Sequence, residues 1–279
     1  MSKIKIVTDS TSDLTEEEIA EYGIRVVPLS IHIDGNIYLD KVDIGPEEFI
    51  GKMEAAGELP KSSQPSAGVL AQVYDELGAD GSEVLSIHMT GGMSGTVKSA
   101  EAAAEMTTTQ VTVVDSRYIS HALAFQVIEA AKMAQLGKTM QEIVQHLNEV
   151  RKKTMLYVVV DKLDNLVKGG RIGKGKAIIG SLLNIKPIAS LQDGVYTPVG
   201  KARSHKQVAM QLFASFKEDT AGKLVKGVGI SHANGLAMAE PLKRLIEDSG
   251  ITDIRFSFTS PVISTHTGNG AIGFMYYTE

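Results

Sequence analysis

Cysteine and tryptophan are both absent from the 279 residues. Without a thiol there is no disulfide, no thiolate nucleophile and no cysteine-based metal site. Aromatic residues make up only 5% of the chain, too few to build base-stacking platforms. An excess of positive charge is missing as well. The 28 Lys and Arg stand against 33 Asp and Glu, a formal net charge of −5, whereas a nucleic-acid footprint needs a basic stripe. No apolar run approaches the roughly 18 residues that span a bilayer, and the opening MSKIKIVTDS has no apolar h-region, so a cytoplasmic location is expected. Seven histidines occur without an H-x-x-x-H or H-E-x-x-H pairing or a neighbouring carboxylate cluster, and no metal is expected. What is present is 43% hydrophobic residues, enough to bury a sizeable core in one large domain or two ordinary ones. Any pocket wall in this chain must be mainly aliphatic.

Short β-branched runs (KIKIVT, IRVVPLSI, EVLSIH and VTVVDS) alternate with amphipathic stretches of helical spacing. That alternation predicts an α/β fold. Thr15 and Glu18 form a T-x-x-E capping box ahead of Ile19, which leaves Asp9, Ser10, Thr11 and Ser12 in the preceding strand-to-helix loop. Helical spacing covers about 117–136 and 138–151, after which EVRKKT leads into the strand MLYVVV. The domain boundary is therefore expected there, with domains 1–153 and 154–279. KPIASL, VKGVGISH and DIRFSFTSPVIS continue the strand pattern in the second half, with no repeat at a fixed period. No Pro-rich or Gly/Ser-rich linker intervenes, so the halves are expected to pack closely, with a ligand crevice between them.

Four segments carry the polar chemistry. GRIGKGKA, Gly170 to Ala177, matches G-x-x-x-x-G-K but offers alanine where a P-loop needs a hydroxyl for magnesium. It also follows DKLDNLVKGG, which reads as a helix ending at a glycine rather than as a buried strand. GGMSGT resembles a nucleophile elbow at Ser94 but has Thr96 where the second glycine belongs. Ser94 suits the start of the helix that follows, where backbone donors and the dipole favour an anion. KSSQPSAG offers Ser62 and Ser63 in a hydroxyl-rich loop, with Ser66 as N-cap of the next helix. PVISTHTGNGAIG sets His266 between Thr265 and Thr267, read here as the polar end of a strand. Loops around Ser10, Ser62 and Ser94, with the His266 segment, are expected to converge at one sheet edge.

In order along the chain, VTDSTSDL, KSSQPSAG, GGMSGTVKSA, VVDS, VKGGRIG, LNIKPI, DGVYTPVGKARS and VISTHTGNGAIG resemble the bacterial DegV family. The resemblance covers nearly the whole chain, and the combination of SQPS, GGRI, NIKPI and STHTG is more specific than any one of them. It implies two packed α/β domains with a lipid tunnel between them. A long-chain fatty acid such as palmitate is implied as ligand, its carboxylate bound by Ser62, Ser94 and His266, with Ser10, Thr96, Thr265 and Thr267 in support. The resemblance further implies a non-catalytic carrier without cofactor. It would present the acid to the ATP-binding subunit of a fatty acid kinase, docked through Arg171 and Arg203, for acyl-phosphate formation and phospholipid synthesis. Ser62 stands where the family usually has threonine, and Asn269 where it often has proline. Two other readings remain open: a serine hydrolase acting on lipid esters, with Ser94 as nucleophile, His266 as base and Asp9 or Asp115 as orienter, and a nucleotide-dependent kinase using Lys176.

Overall fold

The computed structural model describes residues 4–178 and 185–279. Leu183 and Asn184 of LNIKPI lie outside the described residues. The elements of the first part are β1 (Ile4–Asp9), α1 (Glu16–Tyr22), β2 (Arg25–Val27), β3 (Ser30–Ile33), β4 (Asn36–Leu39), α2 (Pro46–Ala55), β5 (Lys61–Ser63), α3 (Ala67–Gly78), β6 (Glu83–His88), α4 (Thr96–Met106), β7 (Val111–Asp115), α5 (Ser120–Gln135) and α6 (Met140–Lys152). There follow β8 (Thr154–Val159), α7 (Asp164–Lys168), β9 (Lys186–Ser190), β10 (Thr197–Ala202), α8 (His205–Thr220), β11 (Val225–Ala233), α9 (Leu236–Asp248), β12 (Arg255–Phe258), α10 (Pro261–Thr267) and β13 (Ala271–Thr278).

A parallel sheet runs β2-β1-β6-β7, and a small antiparallel sheet runs β4-β3-β5. The six-stranded sheet runs β10-β9-β8-β13-β11-β12, antiparallel except for the β11–β12 pair. β1 and β6 are almost wholly buried, their polar residues Thr8, Asp9, Ser86 and His88 included, because both faces of the parallel sheet are covered. On one face Leu70 and Tyr74 of α3 and Ala100 and Ala103 of α4 pack on Val7 and Val84. On the other lies α5, whose residues Ser120 to Ile128 are all buried. A helix apolar all round must be enclosed, and α5 touches β1 and β6 on one side and β8, β11 and β13 on the other. The far face of the six-stranded sheet packs Phe274 and Tyr276 against Leu212 and Phe216 of α8 and Leu242 of α9.

Local signals placed most of these elements. Thr15 Oγ1 accepts from the Glu18 N–H while a Glu18 carboxylate oxygen accepts from the Thr15 N–H, and Ser66 caps α3. Two strand expectations are corrected. IRVVPLSI is split, because Pro28 has no N–H to give a ladder, so β2 pairs in the parallel sheet and β3 in the small one. DIRFSFTSPVIS is a strand only to Phe258. Ser260 then caps α10 by accepting from the Ile263 N–H, with Pro261 in the first turn, where its fixed φ suits helix initiation. His266 therefore sits in the last turn of a helix, not at a strand end.

One buried carboxylate ties the parts together. Asp13 accepts from the Lys41 ammonium at 2.8 Å, Ser120 Oγ at 2.7 Å, Thr259 Oγ1 at 2.8 Å and the Ser260 N–H at 2.9 Å. Burial alone would raise its pKa, but the Lys41 and His121 charges and these donors outweigh it and hold the carboxyl below its ordinary value. Asp13, Lys41 and Ser120 all adopt positive φ, a conformation that costs a side-chain-bearing residue energy and is maintained here by that shared network. Asp13 thereby anchors the start of α10 and fixes where His266 points.

Candidate functional site

β5, the loop after β6, the loop after α7 and α10 enclose a cavity of about 630 Å³, its open mouth included. One end is polar and half-buried, with Ser62, Ser94, Arg171 and His266. The rest of the wall is apolar, with Met89, Ile119, Val158, Leu191 and Val262 among its side chains.

Ser62 Oγ lies 2.7 Å from His266 Nε2, a contact between residues 204 apart in sequence. His266 Nδ1 is buried without a hydrogen-bond partner among the described residues. It faces Gly169, where a Cβ would stand 2.5 Å from Nδ1, so the first glycine of GGRI is what lets this loop approach the ring. Burial, with the Arg171 charge adding to it, pushes the His266 pKa down to about 4. The ring is thus neutral at physiological pH, with one donor and one acceptor nitrogen. Arg171 donates from Nε to the Met93 carbonyl at 3.0 Å and from Nη1 to the Gly169 carbonyl at 2.6 Å. It fastens the GGRI loop to the Ser94 loop and brings a cation to the cavity mouth. Thr90 Oγ1 makes a second fastening, donating to the Gly194 carbonyl at 2.8 Å.

Ser94 Oγ lies 2.8 Å from Thr96 Oγ1 and accepts from the Thr96 N–H. The N-cap of α4 is Gly95, with no side-chain cap, so Ser94 sits one residue before the cap. Gly95 is bare because a Cβ would stand 2.5 Å from the Gln64 amide nitrogen. Thr96 is fully buried behind Ser94. Thr267 lines the cavity, and its hydroxyl donates to the Ile263 carbonyl. Thr265 is fully buried, donates to the Pro261 carbonyl and is not part of the cavity wall. Ser10 is also elsewhere, donating to Asp40 and accepting from the Leu29 N–H, so the expected convergence holds for Ser62, Ser94 and His266 but not for Ser10. Arg203 is exposed and outside the cavity wall. Asn269 donates to Glu54, tying the turn after α10 to α2.

Gln64 and Tyr196 line the cavity and were not singled out in the sequence. Gln64 lies inside SQPS, a signal that was available. Tyr196 carries none, being one aromatic in a loop; its buried hydroxyl has no partner among the described residues, and burial pushes its pKa up.

The rival arrangements find less support in the geometry. Asp9 holds His88 Nδ1 at 3.0 Å and the Met89 N–H at 2.9 Å, while Asp115 accepts from the Gly91 and Arg117 N–H groups. Neither carboxylate reaches His266, and the hydroxyl on its ring belongs to Ser62 rather than Ser94. GRIGKGKA follows α7 and forms a tight helical turn at Gly173–Ile178, not the strand-to-helix loop of a phosphate cradle. Among the described residues, no group of three or more His, Asp or Glu is placed to hold a metal ion, and no helix is long and apolar enough to cross a membrane.

The DegV family profile matches residues 3–279. The chain belongs to the DegV family. A DegV domain-containing protein of Listeria innocua is 47% identical over 281 residues, covering 100% of both chains. Among solved structures, a DegV-family protein of Thermus thermophilus described for its fatty acid binding superposes with a TM-score of 0.94 at 33% identity, and DegV of Bacillus subtilis, described as a fatty acid binding protein, with 0.90 at 31%. Both matches cover 100% of each chain. The mixed α/β architecture of the DegV fold is thus shared across its full length.

Proposed function

We propose that this DegV-family chain binds a long-chain fatty acid in the cavity and presents it to a partner fatty acid kinase. The carrying observation is the union of Ser62, Ser94, Arg171 and His266 at one end of an otherwise apolar cavity. A carboxylate leaving water needs several donors to replace its hydration. Two hydroxyls, a neutral imidazole and a guanidinium supply them without a metal or cofactor. Thr96 supports the site from behind Ser94, Thr267 from the wall and Thr265 from within α10, while Ser10 bears on it only at a distance, by holding Asp40 and the Leu29 N–H. The tail then lies on aliphatic wall between domains 1–153 and 154–279. At about 0.8 kcal/mol per methylene, ten buried methylenes contribute roughly 8 kcal/mol before ordering costs, so the tail sets affinity and the head group sets orientation. The fatty-acid binding described for the Thermus thermophilus and Bacillus subtilis relatives supports this reading.

For the partner, Arg203 and the exposed Lys168, Lys174 and Lys176 around Arg171 supply the cationic rim that an acidic kinase surface would meet. Phosphoryl transfer to the presented carboxylate would yield an acyl phosphate for phospholipid synthesis in the cytoplasm. The test is native mass spectrometry of the purified protein with lipid identification after denaturation. A bound long-chain acid is expected, and its content should fall in the double variant Ser62→Ala, Ser94→Ala. Undiminished acid in that variant overturns the carboxylate assignment.

A further inference from the structure

We propose that Gly273 sets the depth of the acyl tunnel, and with it the chain length this protein prefers; the inference rests on the fatty-acid reading above. Behind the cavity lies a second, narrow space of about 300 Å³, its open part included. The two share Ile119, Val158, Ile263 and Thr267 as walls, so a tail passing these side chains enters the inner space. Ile263 precedes His266 by one helical turn, roughly 5 Å along α10, and Thr259, just ahead of the helix cap Ser260, is on the wall of the inner space. The inner space is therefore placed to receive the part of a tail that runs inward from the carboxylate along α10.

Its floor is a cross-strand row of the six-stranded sheet. Gly273 pairs with Val158 on β8 and with Ser231 on β11, and all three border the inner space. A Cβ at Gly273 would stand 2.8 Å from Ser231 Oγ, 3.1 Å from Met275 Cε and 3.8 Å from Leu156 Cδ1, each a wall of that space. The glycine is not there for its backbone, since its φ is not positive, and glycine inside a strand weakens the strand unless something must approach closely. On β11, Gly227 and Gly229 are bare for visible reasons: the rings of Tyr277 and Phe125 fill the first gap and His121 the second. At Gly273 the crowding side chains, Ser231 and Met275, are themselves walls of the inner space, so an added Cβ would push those walls into it. Met275 is the adjustable side of the trough, because its thioether methyl is unbranched and mobile.

The experiment strips the protein of lipid and measures displacement of a fluorescent fatty acid by saturated acids of about ten to about twenty carbons. Gly273→Ala should weaken binding by an amount that grows with chain length. The loss should reach roughly tenfold for the longest acids, the effect of about two methylenes denied burial. Met275→Ala should move the optimum toward longer acids. A length profile unchanged in both variants, with palmitate still bound, overturns the gauge and leaves the carrier reading standing. If Gly273→Ala fails to fold by circular dichroism, the Met275→Ala profile decides alone. Failure of the unmodified protein to bind any acid overturns the carrier reading and this inference with it.

Discussion

Asp40 makes the stability of the fold depend on pH in a direction opposite to the usual carboxylate. It is 1% exposed. One carboxylate oxygen accepts from Ser10 Oγ at 2.6 Å, and the Val262 N–H also approaches the carboxyl. Burial raises its pKa from 3.8 to about 7; Ser10, the Lys41 charge and the Val262 N–H pull it down and the Asp13 charge pushes it further up. Because the folded value lies above the unfolded one, folded molecules keep a proton between those two pH values that unfolded chains have released. The stabilisation is complete below about pH 4 and is lost as pH rises through 7. The interval from 3.8 to about 7 spans roughly three units, or about 4 kcal/mol as an upper figure. Asp40→Asn keeps an oxygen acceptor for Ser10 and carries no charge at any pH. Asp13 and His121, which titrate in the same neighbourhood, are present in both proteins and cancel in the difference. Urea unfolding followed by circular dichroism from pH 4 to pH 8 should show the variant gaining on the parent by up to about 4 kcal/mol as pH rises. Parallel stability curves would refute the assignment of a buried, protonated Asp40.

Two further perturbations probe the head-group end. Gly169→Ala puts a Cβ 2.5 Å from His266 Nδ1, so the ring must turn away from Ser62; calorimetric affinity for palmitate should fall by about tenfold, the effect of one charge-assisted hydrogen bond, and an unaltered affinity counts against His266 as a carboxylate ligand. Arg171→Gln removes the smaller of the two causes that depress the His266 pKa. An NMR titration should find it above 4 yet below 6.5, with palmitate binding weakened by about 1.5–3 kcal/mol; an unmoved pKa would place the guanidinium too far from the ring to matter.

How much of this was legible depends on the range of the interaction that carries it. The capping box at Thr15, the cap at Ser66 and the layering of strands and helices rest on residues within a few positions of one another, and they stand as read. α10 was misread because PVIS continues the β-branched composition of DIRFSF; the decisive signal was the Ser260–Pro261 pair, which starts a helix. The Ser62–His266 contact joins residues 204 apart, and the Arg255–Glu18 ion pair joins residues 237 apart. No periodicity encodes either. Ser62 and His266 were brought together in the sequence by resemblance to a family, and the geometry supplies the physical reason that resemblance lacks.

Glycine shows the same limit from the other side. Gly137 has positive φ and nothing within 4 Å of its missing Cβ; there the residue serves the turn after α5. Gly169 would collide with His266, and Gly95 with Gln64; there the residue serves a close approach between distant segments. Gly273 has an ordinary strand backbone, and its missing Cβ would crowd Ser231 and Met275 on the wall of the inner space. All are one letter in the sequence. Only the surroundings tell a glycine that bends the chain from one that admits a neighbouring side chain.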